Sequence, residues 1–211
     1  LTATIAAGTL SGIEALSVNG RFATDPNARP SYELVLENGN AASGARLIVN
    51  GSSLAAEQSF GFDGSRVADA LLTIFGGAGS DRLTGGANGD VLYAGGGADL
   101  LAGGGGADVF QYRSASESSG MATDRIADFV SGTDRIDLAQ IDANSAAAGD
   151  QAFAFVGSAA FSGVAGQLRA AFVGPNLWRV EGDVNGDFEA DFVLEIVGEA
   201  GQPLGASDFV L

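Results

Sequence analysis

The sequence predicts an all-β protein built around a parallel β-roll. Three observations carry that reading. Residues 76–110 repeat with a period of nine, and each unit ends in a short stretch with one apolar residue at its centre. The segments on either side break into short β-type runs separated by turn-forming residues. The chain therefore divides into a β-rich segment at 1–75, a roll at 76–120 and an antiparallel β domain at 121–211.

The N-terminal segment carries the runs IEALSV, YELVLE, ARLIVNG and LLTIF, with NGRFATDPNARPS and ENGNAASG between them. No catalytic cluster emerges among its scattered Arg and Glu residues. Its plain reading is β structure that caps or extends the roll, with Glu14, Asp25, Glu33 and Glu37 on a solvated face.

The roll reads GGAGSDRLT, GGANGDVLY, AGGGADLLA and GGGGADVFQ. Glycines crowd the first four positions, Asp81, Asp90, Asp99 and Asp108 stand sixth, and Leu83, Leu92, Leu101 and Phe110 stand eighth. Six residues make a tight turn that exposes carbonyl oxygens and one carboxylate. Three make a strand with one side chain pointing inward. Turn and strand form half a coil, so turns eighteen residues apart stack: Asp81 with Asp99, and Asp90 with Asp108. Two stacked turns offer two carboxylates and about four carbonyls, within the 6–8 oxygens that calcium takes. The candidate ligand positions are Gly77, Gly79 and Asp81; Gly86, Asn88 and Asp90; Ala94, Gly95, Gly96, Gly97 and Asp99; and Gly103, Gly104, Gly105, Gly106 and Asp108. Asn88 stands where a glycine would, as the next best residue for a left-handed backbone. A flexible Gly/Asp linker would have no reason to hold an apolar residue at the eighth position four times running.

The frame continues outward. Nine residues beyond Asp108 stands Glu117, with Asp99 as its stacked partner, and eighteen before Asp81 stands Asp63 in SFGFDG. Both are further candidate ligands, although FDGS is also an ordinary turn. In VADALLTIF, Leu72 takes the aspartate's place while Ile74 keeps the inward one. The repeat resembles the RTX (repeats-in-toxin) nonapeptide GGxGxDxUx, a calcium-binding roll.

Beyond the roll, DRIADFVSGTDRIDL repeats Asp-Arg-Ile at Asp124 and Asp134, and FAFVG, LRAAFVG, LWRVEGD and FVLEIVG read as antiparallel strands. The stretch DVNGDFEAD begins like an EF-hand loop, but Phe188 stands where that loop needs glycine and Leu194 ends it without a ligand. Asn185-Gly186 between two β runs is the better-supported hairpin turn. From Gly103 onward the chain is similar to the C-terminal domain of the serralysin-type secreted metalloproteases. GGGGADVFQY, SASESS, DRIADFVSGTDRIDL, GDVNGDFEADFVLEIVG and the terminal DFVL carry the likeness. The resemblance implies calcium ligands at Glu117 and Asp124 and an uncleaved C-terminal signal for type I secretion. The proteolytic zinc site of that family has no counterpart in this chain.

Composition narrows the chemistry. A net charge of −16, from 26 acidic residues against 10 arginines and no lysine, suits metal cations and repels nucleic acid and anionic lipid. Without histidine or cysteine there is no Ser-His-Asp triad, thiol nucleophile, HExxH zinc site or disulfide. No apolar run approaches the ~20 residues of a membrane helix. The opening LTATIAAGTL lacks the basic start of a signal peptide and an initiator methionine, so the expectation is the C-terminal part of a longer protein. The reading is a non-enzymatic, secreted module that folds on several calcium ions outside the cell. Its partners are calcium and the type I secretion machinery, with no nucleic acid and no membrane insertion. The alternatives are a calcium-dependent surface protein that self-assembles in an S-layer or filament, or the non-catalytic tail of a secreted hydrolase.

Overall fold

The computed structural model describes residues 2–5, 15–18, 31–39, 43–198 and 203–211. In chain order the strands are β1 (Thr2–Ile5), β2 (Ala15–Ser17), β3 (Ser31–Leu36), β4 (Arg46–Asn50), β5 (Ser59–Asp63), β6 (Leu71–Phe75), β7 (Arg82–Thr84), β8 (Val91–Tyr93), β9 (Leu100–Ala102), β10 (Val109–Gln111), β11 (Asp124–Phe129) and β12 (Arg135–Asp137). They continue with β13 (Ala154–Phe155), β14 (Gln167–Gly174), β15 (Leu177–Asp183), β16 (Phe192–Gly198) and β17 (Phe209–Val210). There is no α-helix among the described residues. The fold is all-β, as the repeat predicts.

Successive strands alternate between two sheets. One runs β1-β3-β5-β7-β9-β11 and continues through β16-β15-β14-β13; the other runs β17-β12-β10-β8-β6-β4-β2. From β1 to β12 every pairing is parallel, so two strands make one coil of the roll. This pairing crosses residue 76 without a break, so β5 and β6 lie in the same sheets as the nonapeptide strands.

The inward residues form two facing columns. Phe62, Leu83, Leu101, Ile126 and Ile196 are in register along one sheet. Val49, Ile74, Leu92, Phe110, Ile136 and Phe209 are in register along the other. All are buried. Each strand of the nonapeptides contributes one buried side chain, flanked by half-exposed ones in β8, β9 and β10 and by the exposed Arg82 and half-exposed Thr84 in β7. At ~1.5–3 kcal/mol for each such side chain, this is a thin core for so many ordered turn residues.

The C-terminal region is antiparallel in part. β14, β15 and β16 form an antiparallel meander, and β16 then adds to β11 in parallel, which continues the roll's sheet. β15 and β16 are antiparallel neighbours, as a hairpin requires, but residues 184–191 join them as an eight-residue loop in which Asn185-Gly186 is not a two-residue turn. Gly186 has φ +78°, and the buried Asp183 carboxylate accepts from the N–H groups of Asn185, Gly186 and Phe188.

The last residues complete the other sheet. β17 pairs with β12 in parallel, and Leu138 donates its N–H to the Val210 carbonyl. The buried Asp208 carboxylate accepts from Ser131 Oγ, Gly132 N and Gly205 N at 2.8–3.0 Å. Asp208 thus ends a 3₁₀ turn, Ala206–Asp208, and Phe209–Val210 form a strand integrated into the sheet.

Candidate metal centre

The sixth-position aspartates build two ladders, one along each edge of the roll. Each carboxylate accepts, through Oδ1, the backbone N–H of the residue one coil earlier. On one edge Phe60 N donates to Asp81, Asp81 N to Asp99, and Asp99 N to Asp124, at 2.7–2.9 Å. On the other Leu72 N donates to Asp90, Asp90 N to Asp108, and Asp108 N to Asp134, at 2.7–3.0 Å. All six carboxylates are buried. Each ladder begins on an apolar residue that offers only its N–H.

The second carboxylate oxygen divides the turns into two kinds. Asp81 Oδ2 accepts from Gly77 N and Asp90 Oδ2 from Gly86 N, both at 2.6 Å, and Asp134 Oδ2 accepts from Val130 N at 2.8 Å. The corresponding glycines of the next two repeats, Gly95 and Gly104, have φ +91°, and neither caps its aspartate. Gly104 donates instead to Asp128, which also receives Gly103 N. On the first edge, Asp99 Oδ2 and Asp124 Oδ2 are buried without any partner.

Glycine is required where the coils touch. A Cβ on Gly97, at φ +116°, would lie 2.5 Å from the Gly79 carbonyl oxygen of the coil below, whereas one on Gly96 would meet nothing closer than 3.7 Å. Gly79, Gly95, Gly103, Gly104 and Gly106 are similarly crowded by backbone or carboxylate atoms, and Gly105 is looser. Gly76 faces the Ala94 carbonyl, so the alanine presents the same backbone oxygen as a glycine would.

Three sequence expectations are placed differently. Asp63 lies off the ladder, at the end of β5, because the coil from Phe62 to Leu83 takes twenty-one residues rather than eighteen. Phe60 holds the place expected for Asp63, whose carboxylate instead caps Ser65 N at 2.9 Å. The Ser65 side chain first, then the Ser65 N–H and the nearby Arg66 and Arg82, hold Asp63 below the ordinary carboxylate range against the opposing effect of burial. Asn88 is not left-handed; its Nδ2 donates to the Ala68 and Ala70 carbonyls and so ties two coils together. Glu117 does not follow Asp99 in the ladder, a place that Asp124 takes. It ends a single 3₁₀ turn, Ala115–Glu117, and accepts Arg113 N at 2.7 Å. It still faces the first edge, lining a cavity of about 190 Å³ with Gly76, Gly77 and Gly95. Asp128 and Asp134 were not among the expected ligands. For Asp134 the signal was present: Asp-Arg-Ile repeats the Asp-x-Leu triplet of the nonapeptides, most closely Asp81-Arg82-Leu83.

The profile of the family described as Peptidase M10 serralysin C terminal matches residues 24–211. This chain belongs to the serralysin C-terminal family. Metalloprotease AprA of Pseudomonas entomophila (strain L48) is a relative, 41% identical over 92 residues that make up 43% of this chain and 18% of AprA. The serralysin C-terminal family is the non-catalytic end of these peptidases, and the chain spans under a fifth of that relative's length.

Burial governs the electrostatics of this serralysin C-terminal segment. Desolvation pushes Asp81 up to about 6 and Asp108 up to about 7, in spite of the N–H bonds each accepts. Asp90 and Asp134 are raised for the same reason. Asp99 and Asp124 are raised furthest, by desolvation first; for Asp99 the adjacent Asp124 charge comes next, and Glu117 adds to both. The charged forms therefore lack compensation from the protein alone. No three acidic side chains converge as a metal site among the described residues. A cation here would need one carboxylate from each of two stacked turns, completed by backbone oxygens, which is a donor set for a hard dication.

Two predictions follow from this geometry. Gly97→Ala should abolish or strongly weaken folding of the roll, and Gly96→Ala should leave the melting temperature within a few degrees; calorimetry of the two variants side by side checks the pair. The second concerns pH. Carboxylates whose folded pKa is raised add stability that is complete below the unfolded value of 3.8 and is lost as pH rises through about 6 to 7. In chelator, the β circular-dichroism signal should therefore grow as pH falls from 8 toward 4. A signal that declined over that range would overturn the account.

Proposed function

We propose that this chain is a calcium-dependent folding module and C-terminal export segment of a secreted hydrolase of the metalloprotease kind. The observation that carries the reading is the pair of buried, unpartnered oxygens, Asp99 Oδ2 and Asp124 Oδ2, on an edge lined with stacked carboxylates. Calcium would be held by the ladder aspartates, with Glu117 beside the first edge and carbonyls of the glycine turns completing the shell. When bound, it supplies the positive charge that the stacked carboxylates lack. The protein's own residues do the rest: the ladder N–H groups orient the carboxylates, and the apolar columns exclude water behind them.

Free calcium in the cytosol lies far below the ~10⁻⁴–10⁻³ M dissociation constants usual for extracellular modules. At ten times the dissociation constant each independent site adds ~1.4 kcal/mol. A few sites thus approach the ~5 kcal/mol at the lower end of domain stability. The module would stay unfolded inside the cell and fold outside. The surplus of acidic residues works in the same direction, since self-repulsion expands the metal-free chain.

The test is a titration at neutral pH. Chelated protein should lose most of its β signal, millimolar calcium should restore it cooperatively, and equal magnesium should not, because magnesium demands a tighter octahedral shell. A chain as well folded in chelator as in calcium overturns the proposal. Export has its own test. A passenger fused ahead of residues 1–211 should reach the medium in cells carrying a matching type I exporter. Deleting residues 208–211 should sharply reduce that export and also lower the melting temperature of the calcium-loaded protein, since Asp208 and Phe209 are buried. Undiminished export of the truncated fusion would remove the terminal residues from the signal.

A further inference from the structure

One polar atom near the first edge remains unaccounted for. Tyr112 is buried, and its hydroxyl has no hydrogen-bond partner. It follows β10 directly, held there by its N–H, which donates to the Asp137 carbonyl at 2.9 Å. Its ring meets Phe192 of β16 edge-on, with centroids 5.2 Å apart and planes at 72°. The hydroxyl interacts with the Asp124 carboxylate without reaching the geometry of a full hydrogen bond, and Asp99 and Glu117 are the other charges that act on it. Three buried oxygens without partners, from Asp99, Asp124 and Tyr112, thus share one region of the interior.

The surroundings make this region a junction. Asp124 opens β11, the strand on which β16 and the antiparallel meander are built. Its backbone N–H donates to Ser118 Oγ at 2.8 Å, and the buried Ser118 hydroxyl donates in turn to the Val193 carbonyl of β16. Val193 N returns a bond to the Ser118 carbonyl at 2.8 Å. Asp124 and Tyr112 are therefore both fastened to β16, one through Ser118 and the other through Phe192.

We propose that Tyr112 is a positioning residue for a cation held between Asp99 and Asp124. With the cation present the Asp124 carboxylate is charged, and the Tyr112 hydroxyl donates to it and fixes the oxygen that faces the metal. A buried hydroxyl left short of a full hydrogen bond is costly by itself, and a cation that keeps Asp124 ionised and in place closes the Tyr112–Asp124 contact into one. Occupancy is thereby communicated to β16 through the Tyr112–Phe192 contact. The inference rests on the calcium reading above and adds to it a residue that the nonapeptide pattern does not contain.

The test uses the 211-residue chain and its Tyr112→Phe variant, which keeps the ring and its contact with Phe192. Calorimetric titration with calcium should show one site weakened about tenfold, the scale on which partners of metal ligands act, with the remaining sites unchanged. Terbium bound in place of calcium should lose much of the emission excited through tyrosine. In chelator under mildly acidic conditions, the variant should be as stable as the wild type or more so, since the unpartnered hydroxyl is gone. Wild-type calcium affinity at every site, with terbium emission retained, would overturn the proposal. So would an equal loss of stability with and without calcium, which marks a packing role alone. Failure of the wild-type chain to bind calcium would instead remove the underlying reading, and the role of Tyr112 with it.

Discussion

The stacked carboxylate is the constraint on which the roll depends. Each sixth-position aspartate must accept the N–H of the coil before it, because that amide has no strand partner at the turn and is buried away from water. The same geometry places acidic side chains one above another in a poorly solvated edge, where mutual repulsion is strong. Satisfying the backbone and neutralising the side chains are therefore opposed demands. Protonation resolves the conflict at low pH, and a bound dication would resolve it when the groups are ionised.

The apolar columns depend on the ladders in turn. One inward residue for each nonapeptide gives a core one side chain deep, without the cross-packing of a thick sandwich. What keeps Leu83, Leu92, Leu101 and Phe110 facing one another is the fixed length of the turns, and that length is set by the aspartate bonds. At the ends, where the nonapeptide lapses, bulkier residues take over: Phe60 and Phe62 on one side, Phe129, Tyr112 and Phe192 on the other. Contact between rings replaces periodicity as the source of order.

Most of the roll was legible in the sequence, because glycine, aspartate and leucine each answer a separate physical need at a fixed spacing. The misplacement of Asp63 has a simple cause. A connection that grows by three residues leaves no local mark, so counting back by eighteen lands beyond the ladder. Asn88 misled for a related reason: its amide reaches across to the preceding coil, and the backbone has no need of the left-handed region there. Asp134 could have been found from its Asp-x-apolar triplet. Asp128 and Tyr112 could not, since their roles arise only where distant strands meet. The DFVL terminus was readable both as a signal and as a strand, and its place beside β12 shows that the second description holds in the folded chain.

Because consecutive strands alternate between the two sheets, the natural unit of length variation is a pair of nonapeptides. Removing or adding eighteen residues returns every later strand to its own sheet and every aspartate to its own edge. A change of nine would send the whole downstream chain to the opposite side and bring the antiparallel meander against the wrong neighbour. The longer coils beyond the repeats, such as that from Phe110 to Ile136, show that surplus residues are absorbed as loops without exchanging the sheets. By this geometry the roll can lengthen or shorten only in even steps of the nonapeptide if the C-terminal segment is to keep its place.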